Sequence, residues 1–164
     1  MKQDIKLTSA KWLLNTKDSI IASSEKKDCV VYAIASSFDL DYDTAHAKVR
    51  MIFDRQDKKG TRTSNIVGKM KDMADTRESI NGKFVREVID QPTKTYHTYG
   101  KDVKRKNRVS TFIKEHTQGT YLILTSNHAL TVKDGTMIDN ITKGSGSKLI
   151  NRAFKVEKVV TFQP

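Results

Sequence analysis

The sequence predicts an α+β domain, with helices in the N-terminal part and an antiparallel sheet in the C-terminal part. Three observations predict it. Apolar residues recur at helical spacing as far as Ala74. After Gly119 they gather instead into short runs of strand length, Thr120–Thr125, Ala129–Val132, Met137–Ile141 and Ala153–Phe162. Between two of those runs stands Asp134-Gly135, a strong two-residue hairpin signal. Helices first and hairpin-linked strands afterwards is an α+β order.

Residues 1–22 carry only weak helical signals around Ala10–Leu14 and are left as a candidate peripheral segment. Ser23–Asp28 reads as a loop. The run Cys29–Phe38 is apolar almost all round, as a buried helix is, and Asp28 stands at its N-cap position. Asp41 or Asp43 can cap a second helix over 44–55, with Ala45, Val49, Ile52 and Phe53 on one face. A weaker helix spans 64–74 with Ile66, Met70 and Met73 inward, and Lys83–Ile89 reads as a strand. Residues 91–108 are polar and basic, without a period, and read as a basic loop. Ser110–Thr117 can form a short helix that packs Phe112 and Ile113, with Gly119 as its C-terminal glycine. Gly144–Ser147 is a flexible connection.

Composition bounds the function classes. A chain of 164 residues is about one domain, so 1–164 is read as a single unit. A single cysteine excludes an intramolecular disulfide framework and a multi-cysteine zinc site. No run approaches the roughly 20 apolar residues of a membrane span, and no secretory signal is read at the start. The expectation is a soluble, cytoplasmic protein with no membrane partner. The net charge of +11 means that polyanions will attract it.

Cys29 sits at the first turn of the buried helix. The partial positive charge of a helix N-terminus favours a thiolate, which is the nucleophilic form, and the N–H groups there can hold an oxyanion. A lone cysteine among Val and Ala is equally a small buried apolar residue. A nucleophilic thiol needs a base, and His128, opening a strand, is a candidate. Register supplies the third group. With a two-residue turn at Asp134-Gly135, Val132 opposes Met137, Thr131 opposes Ile138 and Leu130 opposes Asp139. His128, Leu130 and Asp139 then share a face, with Asp139 diagonal to His128, and Asn140 points the other way. A one-residue bulge reverses that choice. His116 is a rival base beside Phe112 and Ile113, His46 lies off the apolar face of its helix, and His97 stands in a polar stretch. None has a set of metal-ligand partners, and no metal or cofactor is expected.

Asp28-Cys29-Val30-Val31-Tyr32-Ala33-Ile34-Ala35, then Asp41–His46, then Gly119-Thr120-Tyr121-Leu122 leading to His128-Ala129-Leu130, and finally Asp134-Gly135 and Asp139, resemble the papain-like cysteine peptidase superfamily. The similarity covers roughly 28–141 and is greatest to small phage-encoded members, whose setting would be a host cytoplasm. Transglutaminase-like and NlpC/P60-like proteins share the Cys, His, Asp order. The resemblance implies a papain-like fold, its Cys-bearing helix packed on the antiparallel sheet. It also implies a thiol hydrolase acting on protein or peptide amides, or a related acyl transferase. Cys29 would be nucleophile, His128 base and acid, and Asp139 the group that orients the imidazole. One departure stands out. Many members place a glutamine shortly before the cysteine to complete the oxyanion hole, and no glutamine lies between Asp4 and Asp54. The oxyanion candidates are the Cys29 N–H, Ser23 and Ser24.

Lys94–Arg108 holds six Lys or Arg against one Asp, beside Tyr96, His97 and Tyr99. Positive charge engages phosphates, and aromatic rings stack on bases. Lys101, Lys104, Arg105, Lys106 and Arg108 are therefore candidate contacts for nucleic acid or an acidic host protein. The rival function class is a basic binding protein that keeps the fold without turnover.

Overall fold

The computed structural model describes residues 6–24, 27–53, 63–88, 94–105, 107–125, 127–140, 146 and 148–158. It is an α+β structure built on a six-stranded mixed sheet. Strand β1 (Leu7–Ser9) leads into a short helix α1 (Ala10–Leu13), a 3-10 turn and α2 (Ile20–Ser24). Helices α3 (Cys29–Phe38), α4 (Tyr42–Ile52) and α5 (Thr63–Thr76) follow. The remaining elements are β2 (Lys83–Glu87), the pair β3 (Lys94–Thr98) and β4 (Lys101–Arg105), α6 (Val109–Glu115), β5 (Thr120–Leu124), β6 (Ala129–Lys133), β7 (Thr136–Asp139) and β8 (Arg152–Lys158). The sheet order is β1-β7-β6-β5-β8-β2.

The centre of the sheet follows from the sequence. Asp134 and Gly135 both take positive φ, 48° and 78°, which closes β6 and β7 with a primed two-residue turn. The register is Lys133 opposite Thr136, Val132 opposite Met137 and Thr131 opposite Ile138. Strand β5 is buried on both faces, which is why it reads as an unbroken apolar run. Leu122 and Leu124 join α3, α4 and α5 in one core cluster, while Tyr121 and Ile123 join Val109, Phe112 and Ile113 of α6 in another. Helix α6 thus covers the face opposite α3, so the helices do not all lie on one side of the sheet.

Five expectations are corrected at the periphery. The sheet is not wholly antiparallel: β1 pairs in parallel with β7, Ser9 opposite Asp139. The N-terminal segment is consequently an edge of the sheet rather than a peripheral arm, and Ala10 is buried. No sequence pattern announces so short a strand, because long-range pairing alone stabilises three residues. The segment read as a basic loop contains an antiparallel ribbon, β3–β4, turned at Tyr99-Gly100, where φ is 53° and 75°. Those two left-handed residues supply the turn, and Thr95, Tyr96, Thr98 and Val103 suit strands. Part of the Ser23–Asp28 loop is helical, since α2 runs to Ser24. Gly119, with φ 97°, opens β5 rather than ending α6: its N–H donates to Asp134 Oδ1 at 2.9 Å, and its carbonyl accepts from the Asp134 N–H at 2.9 Å.

Helix α3 lies along β6 and is pinned there by Thr131. The Thr131 hydroxyl donates to the Ala33 carbonyl at 2.9 Å and lies 2.8 Å from Ser37 Oγ, with both side chains buried. At its far end, Lys83 and Lys133 engage Asp39, the left-handed residue that ends α3. Burial opposes the Asp39 charge, but the two ammonium groups hold its carboxyl below the usual range. Replacing Thr131 by Val strands the buried Ser37 hydroxyl, and we expect a loss of about 1–3 kcal/mol. The double variant Thr131→Val/Ser37→Ala removes both polar partners and should recover most of that loss. Urea unfolding of the three proteins measures both effects.

Candidate active site

Cys29 is the first residue of α3 and the only one of that helix that is not buried. The helix forms because its apolar residues can pack all round, and it starts abruptly where the apolar run starts. Cys29 therefore stands at a helix tip as a partly buried residue. Asp28 holds the N-cap position, yet its side chain makes no capping bond. Its Oδ2 accepts instead from the Tyr42 hydroxyl at 2.6 Å.

His128 precedes β6 in the turn that joins β5 to β6. Its carbonyl accepts from the Thr125 N–H at 2.9 Å and from Thr125 Oγ1 at 3.2 Å. Standing just outside the ladder, its ring meets both the sulfur at the tip of α3 and the carboxylate on β7. Nε2 lies 2.6 Å from Asp139 Oδ1, and Cys29 stands close enough to the ring to raise its pKa. A carboxylate can only accept, so Nε2 carries the proton and Nδ1 is left to face the sulfur. The His128 side chain is 8% exposed and that of Asp139 0%.

Pinning by Thr131 explains how the sulfur and the ring come to meet. From Cys29 to the turn between Ala33 and Ser37 is roughly 9 Å along a helix rising about 1.5 Å per residue. From His128 to Thr131 is roughly 10 Å along a strand rising about 3.3 Å per residue. With the two elements running in the same sense and tied at Thr131, the lengths match at the other end. Cys29, Ala33 and Ser37 are spaced at i, i+4 and i+8, on one stripe of the helix.

Burial disfavours the imidazolium, but its hydrogen bonding to Asp139, the nearby Cys29 and their negative charge outweigh it. His128 is held up to about 9, from an ordinary value of 6.5. Its contribution to stability is therefore full below about pH 6.5 and is lost as the pH rises through about 9.

The structure brings together Cys29, His128 and Asp139 and separates the other candidates from them. Ser23 is exposed and donates its hydroxyl to the Ile20 carbonyl at 2.8 Å, so it does not face an oxyanion. The Ser24 side chain lies outside the described set. His116 stacks on Phe112, with ring centroids 3.9 Å apart, on the α6 side of the sheet. His46 is buried rather than off the apolar face, and stacks on Tyr42 with centroids 6.1 Å apart. The side chain of His97 is outside the described set, as are those of Lys104 and Arg105 and the whole of Lys106; Lys101 and Arg108 are exposed. Among the described residues no group of three or more His, Cys, Asp and Glu could hold a metal ion, and no helix is long and apolar enough to cross a membrane.

Sequence reasoning missed two contributors, Thr131 and the Asp28–Tyr42 pair. A lone threonine in a strand and a tyrosine after a cap have ordinary roles; only the packing of α3 against β6 and α4 gives them these. Compared with family models, with curated proteins and with solved structures, the chain matches none.

The His128 ring resonances, followed by NMR, should titrate near pH 9. In Asp139→Asn the strongest interaction that raises the value is weakened, and the midpoint should fall by at least a full unit. An unchanged midpoint would show that Asp139 does not govern the imidazole.

Proposed function

We propose that this chain is a thiol-dependent hydrolase of papain-like fold, acting on an amide bond by peptide cleavage or a related acyl transfer. The observation that carries this reading is the imidazole of His128, hydrogen-bonded to a buried Asp139 carboxylate and standing beside Cys29. That is a nucleophile, a base and a group that orients the base, each on a different element. The order Cys, His, Asp along the chain and the packing of a Cys-tipped helix on a sheet support the papain-like part of the reading.

The chemistry follows from the three groups. The Cys29 thiolate attacks the carbonyl carbon, an S–C bond forms, and the carbonyl electrons move to oxygen. As the oxyanion collapses the C–N bond breaks, and His128 gives its Nδ1 proton to the departing amine. The product is a thioester on Cys29. His128, now neutral, takes a proton from water; the hydroxide adds to the thioester, the C–S bond breaks, and the acid leaves. Asp139 keeps the proton on Nε2 throughout, so that Nδ1 always faces the reacting atoms.

Incubation with iodoacetamide near neutral pH, followed by mass spectrometry, should show Cys29 alkylated at least about 10-fold faster than an ordinary thiol of pKa about 8.5, because a thiolate reacts and a thiol does not. His128→Ala should lose that advantage. A Cys29 that reacts no faster than a small-molecule thiol would end the hydrolase reading.

A second reading is favoured by the β3–β4 ribbon, which among the described residues pairs with no third strand and turns at Tyr99, wholly exposed. In that reading the ribbon, rich in Lys and Arg in sequence, is a contact for nucleic acid, and it can coexist with turnover. Affinity for duplex DNA should then fall about 10-fold or more between 50 and 200 mM salt, for a few phosphate contacts. Replacing Lys101, Lys104 and Arg105 by Gln should flatten that dependence, and a slope that does not change would remove the ribbon from the interface.

A further inference from the structure

Asp28 and Tyr42 form a buried pair that the triad does not use. Asp28 is 7% exposed and Tyr42 2%. A buried carboxyl group is costly unless it is hydrogen-bonded, and Tyr42 satisfies it at 2.6 Å. Tyr42 is itself held rigidly. It is the first residue of α4, and Asp41 caps that helix with Oδ1 2.7 Å from the Thr44 N–H and Oδ2 2.9 Å from Thr44 Oγ1. Its ring packs against Tyr32 of α3, with centroids 5.0 Å apart. A second tie reaches the same end of α4, where Ser19 Oγ donates to Asp43 Oδ1 at 2.6 Å.

The position of Asp28 makes this pairing informative. An aspartate at an N-cap ordinarily turns its carboxylate back onto the N–H groups of the first helical turn. In this fold those N–H groups belong to the turn that begins with the nucleophile. A carboxylate seated on them would occupy the donors that a tetrahedral intermediate needs, and would place negative charge where the oxyanion forms. Asp28 instead has φ −104° and ψ 25°, away from the extended conformation of a capping residue, and makes no side-chain cap bond. Its backbone carbonyl accepts the first helical bond, from the Tyr32 N–H at 3.2 Å.

We propose that Tyr42 is a positioning residue. Its phenol holds the Asp28 carboxyl group aside, so that the first-turn N–H groups of α3 stay available to the oxyanion formed when Cys29 attacks a carbonyl. This rests on the acyl-transfer reading and deepens it. It also gives a site without the glutamine expected of a papain-like enzyme a means of holding the intermediate, through the backbone N–H groups of the turn itself.

Two reagents separate this role from a structural one. p-Nitrophenyl acetate acylates a thiolate through a tetrahedral oxyanion: the S–C bond forms, the C–O bond breaks and p-nitrophenolate leaves. Iodoacetamide alkylates the same sulfur by direct displacement of iodide and needs no oxyanion stabilisation. In Tyr42→Phe, we expect acylation of Cys29 to slow by about 10- to 100-fold, up to the scale of losing one oxyanion donor. Alkylation, read at a pH where the thiol is fully ionised in both proteins, should stay within about 2-fold, because displacement of iodide needs no oxyanion donor. Adding Asp28→Ala to Tyr42→Phe removes the carboxyl group that would swing back, and should return acylation most of the way to the parent rate. Unchanged acylation in Tyr42→Phe overturns the proposal. So does alkylation that falls in step with acylation, which would place Tyr42 in the thiol–imidazole geometry, and so does a double variant as slow as the single one. A parent protein whose Cys29 reacts with neither reagent faster than a free thiol overturns the hydrolase reading itself, which is a different result.

Discussion

The packing of α3 along β6 is the constraint from which the rest of the site follows. A helix tip can offer a sulfur in any direction, and a turn before a strand can offer an imidazole in any direction. They meet because Thr131 joins the two elements at one point and both run the same way from it. A hydroxyl buried between a helix and a strand must find partners, and Thr131 finds two on one stripe of α3. The same polar contact that removes a desolvation penalty from the core also sets the axial register of the helix. Slipping α3 by one residue would break both bonds and move Cys29 off the imidazole.

Around that contact the charges are arranged in two separate compartments. His128 has carboxylate on one side and sulfur on the other, and these outweigh the cost of burying its positive charge. Asp28, a second buried carboxyl group next to Cys29, is engaged by an uncharged phenol instead. The fold therefore brings one negative group against the imidazole and directs another away from the helix tip. Each arrangement depends on a different neighbour of α3, β7 in the first case and α4 in the second.

Much of this was legible in the sequence. The apolar run after Asp28 marked α3 to the residue, because a helix buried on nearly all sides leaves no polar interruptions. Asp134-Gly135 set the register of β6 on β7, and with it the choice of Asp139 over Asn140, because a two-residue turn admits one alignment. Less was legible at the margins. Three residues of β1 carry no periodicity, and their strand exists only because β7 presents an open edge. The β3–β4 ribbon was hidden because its sequence is mostly polar and basic without a regular alternation, and because its turn residue Tyr99 is an uncommon choice for a left-handed backbone.

By itself, then, the chain determined its longer helices, its central hairpin and which cysteine, histidine and carboxylate were candidates for one site, since these depend on local period, turn chemistry and side-chain type. Tertiary structure alone decided that the sulfur meets the ring, that Ser23 bonds its own helix and that Asp28 turns to Tyr42. Those outcomes depend on which elements pack together and at what axial offset. That offset is set by pairs such as Ser37 and Thr131, which lie 94 residues apart in the chain.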